Sequence, residues 1–314
     1  MDNSTTVTVI SGGDSSERIV SLSSGRQVYE AFREGGRPAV LMEIDDINDL
    51  ASRLDEIEVA FIALHGGDGE DGTVQQLLQD HGIPYAGSGP SASAIGMDKL
   101  ATKKVLIEAG ITVPHAMNYS GEDMAQFADK VMKEFSLPVV VKAQGQGESI
   151  GVKLVKDVRD LVPTFEDLHN EFGPFFVDEF ISGREFTVPV LRMDGEDTVL
   201  PIIEVKSKTD FFSFEAKYTG DNFEVIIPAP LDEPTAQHVR DVTLRTHQAI
   251  GCWGFSRVDV LLSASGDPYV IEINTLPGMS HSSVMHRSAQ VAGIDLPHLV
   301  ELMLQSAFDR PQSG

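Results

Sequence analysis

Cysteine is almost absent from this chain of 314 residues, in which Cys252 is the single example. One cysteine cannot form a disulfide within the chain, and this composition suits a reducing compartment such as the cytoplasm. Long apolar runs are absent too, since none approaches the roughly 20 residues that a membrane-spanning helix needs. The N-terminus carries no basic segment followed by an apolar one, so no signal peptide is predicted. These absences predict a cytoplasmic protein without a membrane partner.

Basic residues are scarce as well. Lysine and arginine total 24 against 48 aspartates and glutamates, which gives a net charge of −24. Broad nucleic-acid binding relies on clustered Lys and Arg side chains, so a nucleic-acid partner is not expected. If a chain of this charge binds a nucleotide, it must gather its few cations at one place. The length fits two or three domains, and a hydrophobic content of 41 % is enough for packed cores.

The first part of the chain alternates strands, glycine loops and helices. Residues 7–10 and 59–64 are apolar and predict buried strands, and helices are predicted at 23–32 and 73–79. This order is typical of an open parallel sheet, which places its ligands at the carboxyl ends of the strands. A turn-rich stretch at 84–93 is expected to lead out of this sheet.

The rest of the chain predicts a helix, a hairpin and a strand-rich region. The hairpin joins two apolar segments through a glycine-containing loop, residues 143–151. The predicted elements are a helix at 97–109, strands at 138–142, 152–155 and from 175, further strands up to 230, and helices at 235–250 and 296–307.

Two apolar segments near the C-terminus carry a row of oxygen ligands and a cation. Strand alternation places Arg257 and Asp259 on one face of the first segment, and Glu272 and Asn274 on one face of the next. Carboxylate and amide oxygens are the ligands that Mg²⁺ prefers, and a planar guanidinium suits phosphate. The alternative is two charged strands facing water, which is weakened because Asp and Asn are poor strand residues. This stretch predicts the metal and phosphate end of a nucleotide-using enzyme.

Two glycine loops follow the predicted strands. The first, residues 12–18, puts Glu17 where a substrate amine could be held, although a capped helix is the commoner explanation of such a loop. The second, residues 65–72, has four glycines and three carboxylates, and its alternative is a flexible acidic turn.

Three lysines are candidate phosphate ligands. Lys142 ends an apolar strand just before a glycine loop, Lys99 lies far from it in the chain, and Lys217 precedes Tyr218 in a polar loop. The alternative for each lysine is an ordinary surface charge. The Walker pattern is absent, so a P-loop site is not expected.

Together these motifs resemble the D-alanine–D-alanine ligases, which belong to the ATP-grasp superfamily. They occur in the family's order and span nearly the whole chain. The matching segments are residues 12–21, 65–72, 96–99, 140–142, 183–187, 215–218 and 257–278.

The resemblance implies an α/β (α+β ATP-grasp) fold with three domains. These are an N-terminal open parallel sheet at 1–92, a central ATP-grasp domain at 93–180, and a C-terminal ATP-grasp domain at 181–314 that carries the metal and substrate site. It also implies joining of two D-alanines for peptidoglycan precursors, with ATP and two Mg²⁺ ions (or Mn²⁺). The first carboxylate would become an acyl phosphate, which the second amine attacks. The implied partners are amino-acid substrates and a second copy of the chain in a homodimer.

The resemblance also implies roles for individual residues. The glycine loop at 143–151 and the loop at 210–222 would close as lids over the reacting groups. The catalytic residues would be Glu17, Ser149, Tyr218, Arg257 and Gly278. ATP would contact Lys99, Lys142, Asp178, Glu179, Ile181, Glu185 and Lys217. The amino acids would contact Glu17, His65, Glu70, Glu148, Lys217, Ser282 and Ser283, and the metal ligands would be Asp259, Glu272 and Asn274.

Three positions depart from the family's usual sequence. Ala143 follows Lys142 where the family has proline, Glu148 stands where the central loop has a serine, and Ser283 replaces an apolar residue. A carboxylate at 148 near Glu17 would raise the pKa of one of the two or invite a cation. These changes keep two alternatives open: a related ligase that joins or cyclises other amino-acid-like substrates, and a nucleotide-binding regulator without turnover.

Overall fold

Mixed helices and strands make up the computed structural model, which describes residues 4–147, 150–207 and 223–310. This is the predicted fold class. The strands are Val7–Gly12 (β1), Ala39–Ile44 (β2), Val59–Ile62 (β3), Ala116–Asn118 (β4), Val139–Ala143 (β5), Val152–Val155 (β6), Phe175–Glu179 (β7), Gly183–Met193 (β8), Glu196–Val199 (β9), Ile203–Ser207 (β10), Phe223–Ile226 (β11), Phe255–Ser263 (β12) and Pro268–Asn274 (β13). The α-helices are Arg18–Glu34 (α1), Ile47–Ala51 (α2), Thr73–Asp80 (α3), Pro90–Met97 (α4), Lys99–Glu108 (α5), Met124–Glu134 (α6), Leu161–Phe172 (α7), Glu233–Ile250 (α8), Val284–Val291 (α9) and Leu296–Asp309 (α10).

The N-terminal sheet is parallel, in the order β2-β1-β3. All six residues of β1 are buried, as expected for a central strand covered on both faces. The predicted open parallel sheet is confirmed, while β2 has no counterpart among the predicted strands. Both glycine loops follow the carboxyl ends of β1 and β3, so they lie at the same edge of this sheet.

The predicted single helix at 97–109 is wrong, because two helices meet at Asp98. Asp98 has an extended ψ of 105°, and its carboxylate accepts the N–H groups of Leu100 and Ala101 as the cap of α5. The preceding helix starts inside the stretch predicted as turns, with Pro90 at its first position, where proline is well tolerated.

The central sheet is antiparallel, in the order β4-β7-β5-β6. The predicted hairpin of β5 and β6 is confirmed, with Lys142 opposite Val152. Phe127, Phe165 and Phe175 are fully buried and pack against one another in the core beside this sheet.

The third sheet has the order β11-β10-β8-β12-β13, and β9 pairs with β8. Buried and partly exposed residues alternate along β12, so one face packs on α8 and the other carries Arg257 and Asp259. This sheet presents the predicted metal residues at one face.

The core of the N-terminal sheet is shared with the end of the chain. Phe61 stacks on Phe255 of β12, and Leu299 and Met303 of α10 belong to the same buried cluster. The domain boundaries at 92/93 and 180/181 stay predictions. Among the described residues, no helix combines the length and apolar character required to cross a membrane.

A buried polar network lies beneath the third sheet. His247 of α8 is fully buried, with Nδ1 2.7 Å from the Ser256 hydroxyl and Nε2 3.9 Å from Asp197. Burial lowers the pKa of His247 to about 4, against the opposing attraction of Asp197. The imidazole is therefore neutral in the folded protein at neutral pH.

This lowered pKa predicts a loss of stability in mild acid. Between about pH 6.5 and 4 the unfolded chain binds a proton at His247 that the folded chain does not, so stability falls as the pH falls through this window. The contribution is about 3 kcal/mol by pH 4. Urea unfolding at several pH values should show a shallower dependence in His247→Gln, while His238→Gln, an exposed control on the same helix, should follow the wild type. An unchanged slope in His247→Gln would contradict the assignment.

Candidate active site

Strands β12 and β13 bring the predicted metal residues together. Arg257 lies opposite Asn274, and Asp259 lies opposite Glu272, with a bulge directly after Asp259. The Arg257 guanidinium donates to both Asp259 oxygens, at 3.1 and 3.0 Å, and lies 3.4 Å from Glu272 Oε1. One arginine thus neutralises two carboxylates that would otherwise repel each other across the strands.

Two further contacts fix the oxygen groups of this pair of strands. Thr187 of β8 donates its hydroxyl to Asp259 Oδ1 at 2.6 Å, and Asn274 Oδ1 accepts the N–H of Leu276 at 2.7 Å. Over the described ranges, no three His, Cys, Asp or Glu side chains converge on one point. The donor set is two carboxylates and one amide oxygen, which suits Mg²⁺ because this ion usually keeps several waters or phosphate oxygens.

Lys99, the first residue of α5, reaches the same carboxylates. Its Nζ lies 3.8 Å from Glu272 Oε2 and donates to the Gln146 carbonyl in the central loop. The ammonium therefore joins the third sheet to the hairpin loop across a cleft. The cleft is lined by Glu70, Gly96, Met97, Lys99, Gln146, Gly147, Glu272, Ile273, Asn274 and Thr275.

Lys142 belongs to a buried cluster of charges. The Asp178 side chain is 1 % exposed, with Oδ2 2.9 Å from Lys142 Nζ and Oδ1 2.9 Å from Lys103 Nζ. Burial lowers the pKa of Lys103, which Asp178 opposes. The carboxylate of Asp178 points at these lysines, so contact between residue 178 and a base would come from its backbone. Lys103 was missed by sequence reasoning, although its spacing of four from Lys99 places both lysines on one helix face.

The other residues predicted to bind ATP lie where the chain passes from the central sheet to the third sheet. Glu179 ends β7 and accepts the His115 N–H at 2.8 Å, and Ile181 lies in the short connection to β8. Glu185 lies in β8 opposite Val205 and Leu261. Their roles toward a nucleotide stay predictions.

Glu17 lies where both glycine loops and the hairpin loop meet. A Cβ on Gly66 would come within 3.1 Å of Glu17 Oε1, and one on Gly147 within 3.3 Å. Gly66 has a φ of +69°, which a residue with a side chain rarely adopts. Ser15 links the two loops by donating to the His65 carbonyl at 2.6 Å. The carboxylate of Glu17 thus lies at the boundary between the N-terminal sheet and the central sheet.

His65 is buried beside Glu17's helix. Its Nδ1 lies 3.4 Å from Glu70 Oε1, its Nε2 lies 3.0 Å from the Ser24 hydroxyl, and its N–H donates to Ser21 Oγ at 2.8 Å. The roles of the ring nitrogens depend on the tautomer: with the proton on Nδ1, the ring donates to the Glu70 carboxylate and accepts from Ser24 at Nε2.

The loop after β13 carries the last predicted residues. Gly278 has open space where a Cβ would lie, and the Ser282 and Ser280 hydroxyls are 3.1 Å apart. The Ser283 hydroxyl accepts the His286 N–H at 3.3 Å and caps α9. Ser283 therefore has a structural partner, and its effect on a substrate pocket stays a prediction. The predicted residues Glu148, Ser149, Lys217 and Tyr218 lie outside the described residues.

A cleft between two antiparallel sheets, with lysines from one side and a carboxylate pair from the other, defines an enzyme of the ATP-grasp class. Family models agree with this geometry: the D-ala D-ala ligase N-terminus matches residues 37–88 and the D-ala D-ala ligase C-terminus matches residues 101–305. The chain belongs to the D-alanine–D-alanine ligase family.

Individual relatives extend this match over nearly the whole chain. A D-alanine–D-alanine ligase of Desulforudis audaxviator is 43 % identical over 96 % of this chain and 98 % of its own length. One from Pelotomaculum thermopropionicum is 38 % identical over 96 % of both chains. The crystal structure of the Bacillus anthracis D-alanine–D-alanine ligase complexed with ATP superimposes with a TM-score of 0.84 at 33 % identity, covering 98 % of each chain.

Proposed function

We propose that the protein joins two D-alanines to D-alanyl-D-alanine at the expense of ATP, forming ADP, for the synthesis of peptidoglycan precursors. The observation that carries the proposal is the contact of Arg257 with Asp259 and Glu272, and of Glu272 with Lys99. Glu272 and Lys99 line one cleft together with Gly147, which lies beside Glu17. Full-length relatives named as D-alanine–D-alanine ligases support the substrate.

The residues around the cleft fit the two chemical steps. Phosphoryl transfer is mainly positioning and charge neutralisation, which Lys99 and Lys142 supply to the ATP phosphates. The first D-alanine is held through its ammonium by Glu17, and its carboxylate attacks the γ-phosphate. This step breaks the bond to the β-phosphate, so it releases ADP and leaves an acyl phosphate. The amine of the second D-alanine then attacks the acyl carbon, loses a proton and displaces phosphate. Arg257 and the Gly278 N–H stabilise the oxyanion that forms.

The remaining assignments follow from the same proposal. Asp259, Glu272 and Asn274 would hold Mg²⁺, which would supply charge neutralisation at the phosphates when bound. The nucleotide base lies along residues 178–181, the ribose at Glu185, and the second substrate's carboxylate at Ser282 and Lys217, next to Ser283. By the family's pattern, Ser149 and Tyr218 would act in catalysis with Glu17, and His65, Glu70 and Glu148 would be substrate residues. We assign the enzyme to the cytoplasm as a homodimer.

Measuring ADP and D-alanyl-D-alanine together tests the proposal. With ATP, Mg²⁺ and D-alanine, both products should appear in equal amounts, and neither should appear without D-alanine. L-alanine and D-lactate serve as comparison substrates. ADP formed only with a different amino acid would replace D-alanine as the substrate. Tight ATP binding without ADP in any mixture would leave a regulator and sink the ligase assignment.

A further inference from the structure

Helix α1 connects the two predicted amino-acid sites through one row of polar side chains. Glu17 occupies the N-cap position at its N-terminal end, and Ser21, Ser24 and Gln27 follow at intervals of four, three and three residues, which places them on one side of the helix. Ser21 and Ser24 are fully buried. Buried polar side chains usually have a specific hydrogen-bond partner, and each of these two serines has one.

The partners of the second half of this row lie in the loop after β13. The Ser24 hydroxyl accepts the N–H of Met279 at 3.3 Å, and Gln27 Oε1 accepts the N–H of His281 at 2.6 Å. Gln27 is steadied by donating from Nε2 to the Ser23 hydroxyl at 3.3 Å. The two anchored amides lie on either side of Ser280 and immediately beside Gly278 and Ser282.

The Ser24 hydroxyl also touches the first predicted amino-acid site. It lies 3.0 Å from His65 Nε2, whose other nitrogen faces Glu70. A hydroxyl has one hydrogen to donate and two lone pairs that accept, so Ser24 can donate to the imidazole while it accepts from Met279. One side chain thus ties His65 to the loop that follows Gly278.

We propose that Ser24 and Gln27 are positioning residues that hold loop 278–282 in register with Glu17. They touch neither substrate; they act by fixing the Gly278 N–H and the Ser282 hydroxyl. Because Glu17 is the residue immediately before α1, this helix sets the distance between the two amino-acid sites. This inference rests on the proposed function for its substrates, whereas the anchoring itself can be measured without turnover.

Gln27 offers a matched pair of variants. Gln27→Leu keeps the approximate size of the side chain and removes the acceptor, while Gln27→Glu keeps an acceptor oxygen for the His281 N–H. Arg26→Gln is the control, because Arg26 is an exposed neighbour with no part in anchoring loop 278–282. Amide hydrogen exchange of residues 279–283 should become faster in Gln27→Leu and in Ser24→Ala, and should stay near the wild-type rate in Gln27→Glu and Arg26→Gln.

Steady-state kinetics with ATP and D-alanine supplies the second measurement. Loss of one such hydrogen bond is expected to raise KM for the second D-alanine by about two- to tenfold in Gln27→Leu, with KM for ATP and the first D-alanine unchanged. Gln27→Glu should restore the wild-type KM. Equal behaviour of the Leu and Glu variants, or an equal rise of every KM, would overturn the proposal. Absence of turnover in the wild type would instead overturn the ligase function. The exchange data would still show whether Ser24 and Gln27 anchor loop 278–282.

Discussion

Replacing Arg257 with glutamine is expected to lower kcat by about 10²- to 10³-fold, the usual effect of removing one donor from an oxyanion site. The guanidinium lies 3.0 to 3.4 Å from Asp259 and Glu272, and it is positioned by the register of two strands. Glutamine keeps part of the side chain's volume and loses the charge. Steady-state rates of ADP release at saturating ATP and D-alanine provide the measurement.

The same variant should also show the repulsion between the two carboxylates that Arg257 contacts. Without the guanidinium, Asp259 and Glu272 face each other as like charges, so the Tm in metal-free buffer should fall. Added Mg²⁺ should raise the Tm more in the variant than in the wild type. Arg159→Gln, at a highly exposed arginine, controls for net charge and should leave kcat and Tm unchanged. A Tm that falls equally with and without Mg²⁺ would contradict a metal site between these strands.

Replacing Asp178 with asparagine is expected to lower the free energy of unfolding by about 3 to 5 kcal/mol, the usual cost of breaking a buried ion pair from one side. The change leaves the ammonium groups of Lys103 and Lys142 buried next to each other without the carboxylate between them. Lys103→Met should cost less, because Asp178 keeps Lys142 as its partner. Urea unfolding gives both values, and Asp167→Asn, an exposed carboxylate on α7, is the matched control.

The pH dependence of this variant separates charge from packing. Burial already lowers the pKa of Lys103, and losing Asp178 removes the main attraction that opposes this shift. Below its unfolded pKa of about 10.4, the unfolded chain then binds more protons than the folded chain, so stability rises with pH in this window. The difference in the free energy of unfolding between Asp178→Asn and the wild type should therefore become smaller from pH 7 to pH 9.5. A constant difference would indicate lost packing in place of uncompensated charge.

Local patterns made much of this site predictable from the sequence. Alternation along β12 and β13 placed Arg257, Asp259, Glu272 and Asn274 correctly on facing strands, because the period of two is a property of the strand itself. The parallel N-terminal sheet followed from strand, glycine loop and helix in sequence. The break at Asp98 was missed since the residues around it keep a helical pattern on both sides, and only the capping side chain marks the boundary.

Contacts between distant residues could not be predicted in this way. Gln27 meets His281 across 254 positions of the chain, and Asp178 meets Lys103 from a different element. Nothing in the local pattern of either segment specifies these partners, because they depend on how the sheets pack. Lys99 and Lys142 were predicted to face phosphate, yet their protein partners, Glu272 and Asp178, appear only in the folded structure.

The core shared between the two ends of the chain has a consequence for synthesis on the ribosome. β1 and β3 are synthesised long before Leu299 and Met303, which complete their core. The stacking of Phe61 on Phe255 and the ion pair of Arg37 with Glu301 also form only after these later segments have been made. Although domains generally fold from the N-terminus as they emerge, the core of this sheet stays incomplete until α10 has been synthesised. We therefore expect the nascent first segment to expose apolar surface until α10 is made, and to bind chaperones that recognise such surface on emerging chains.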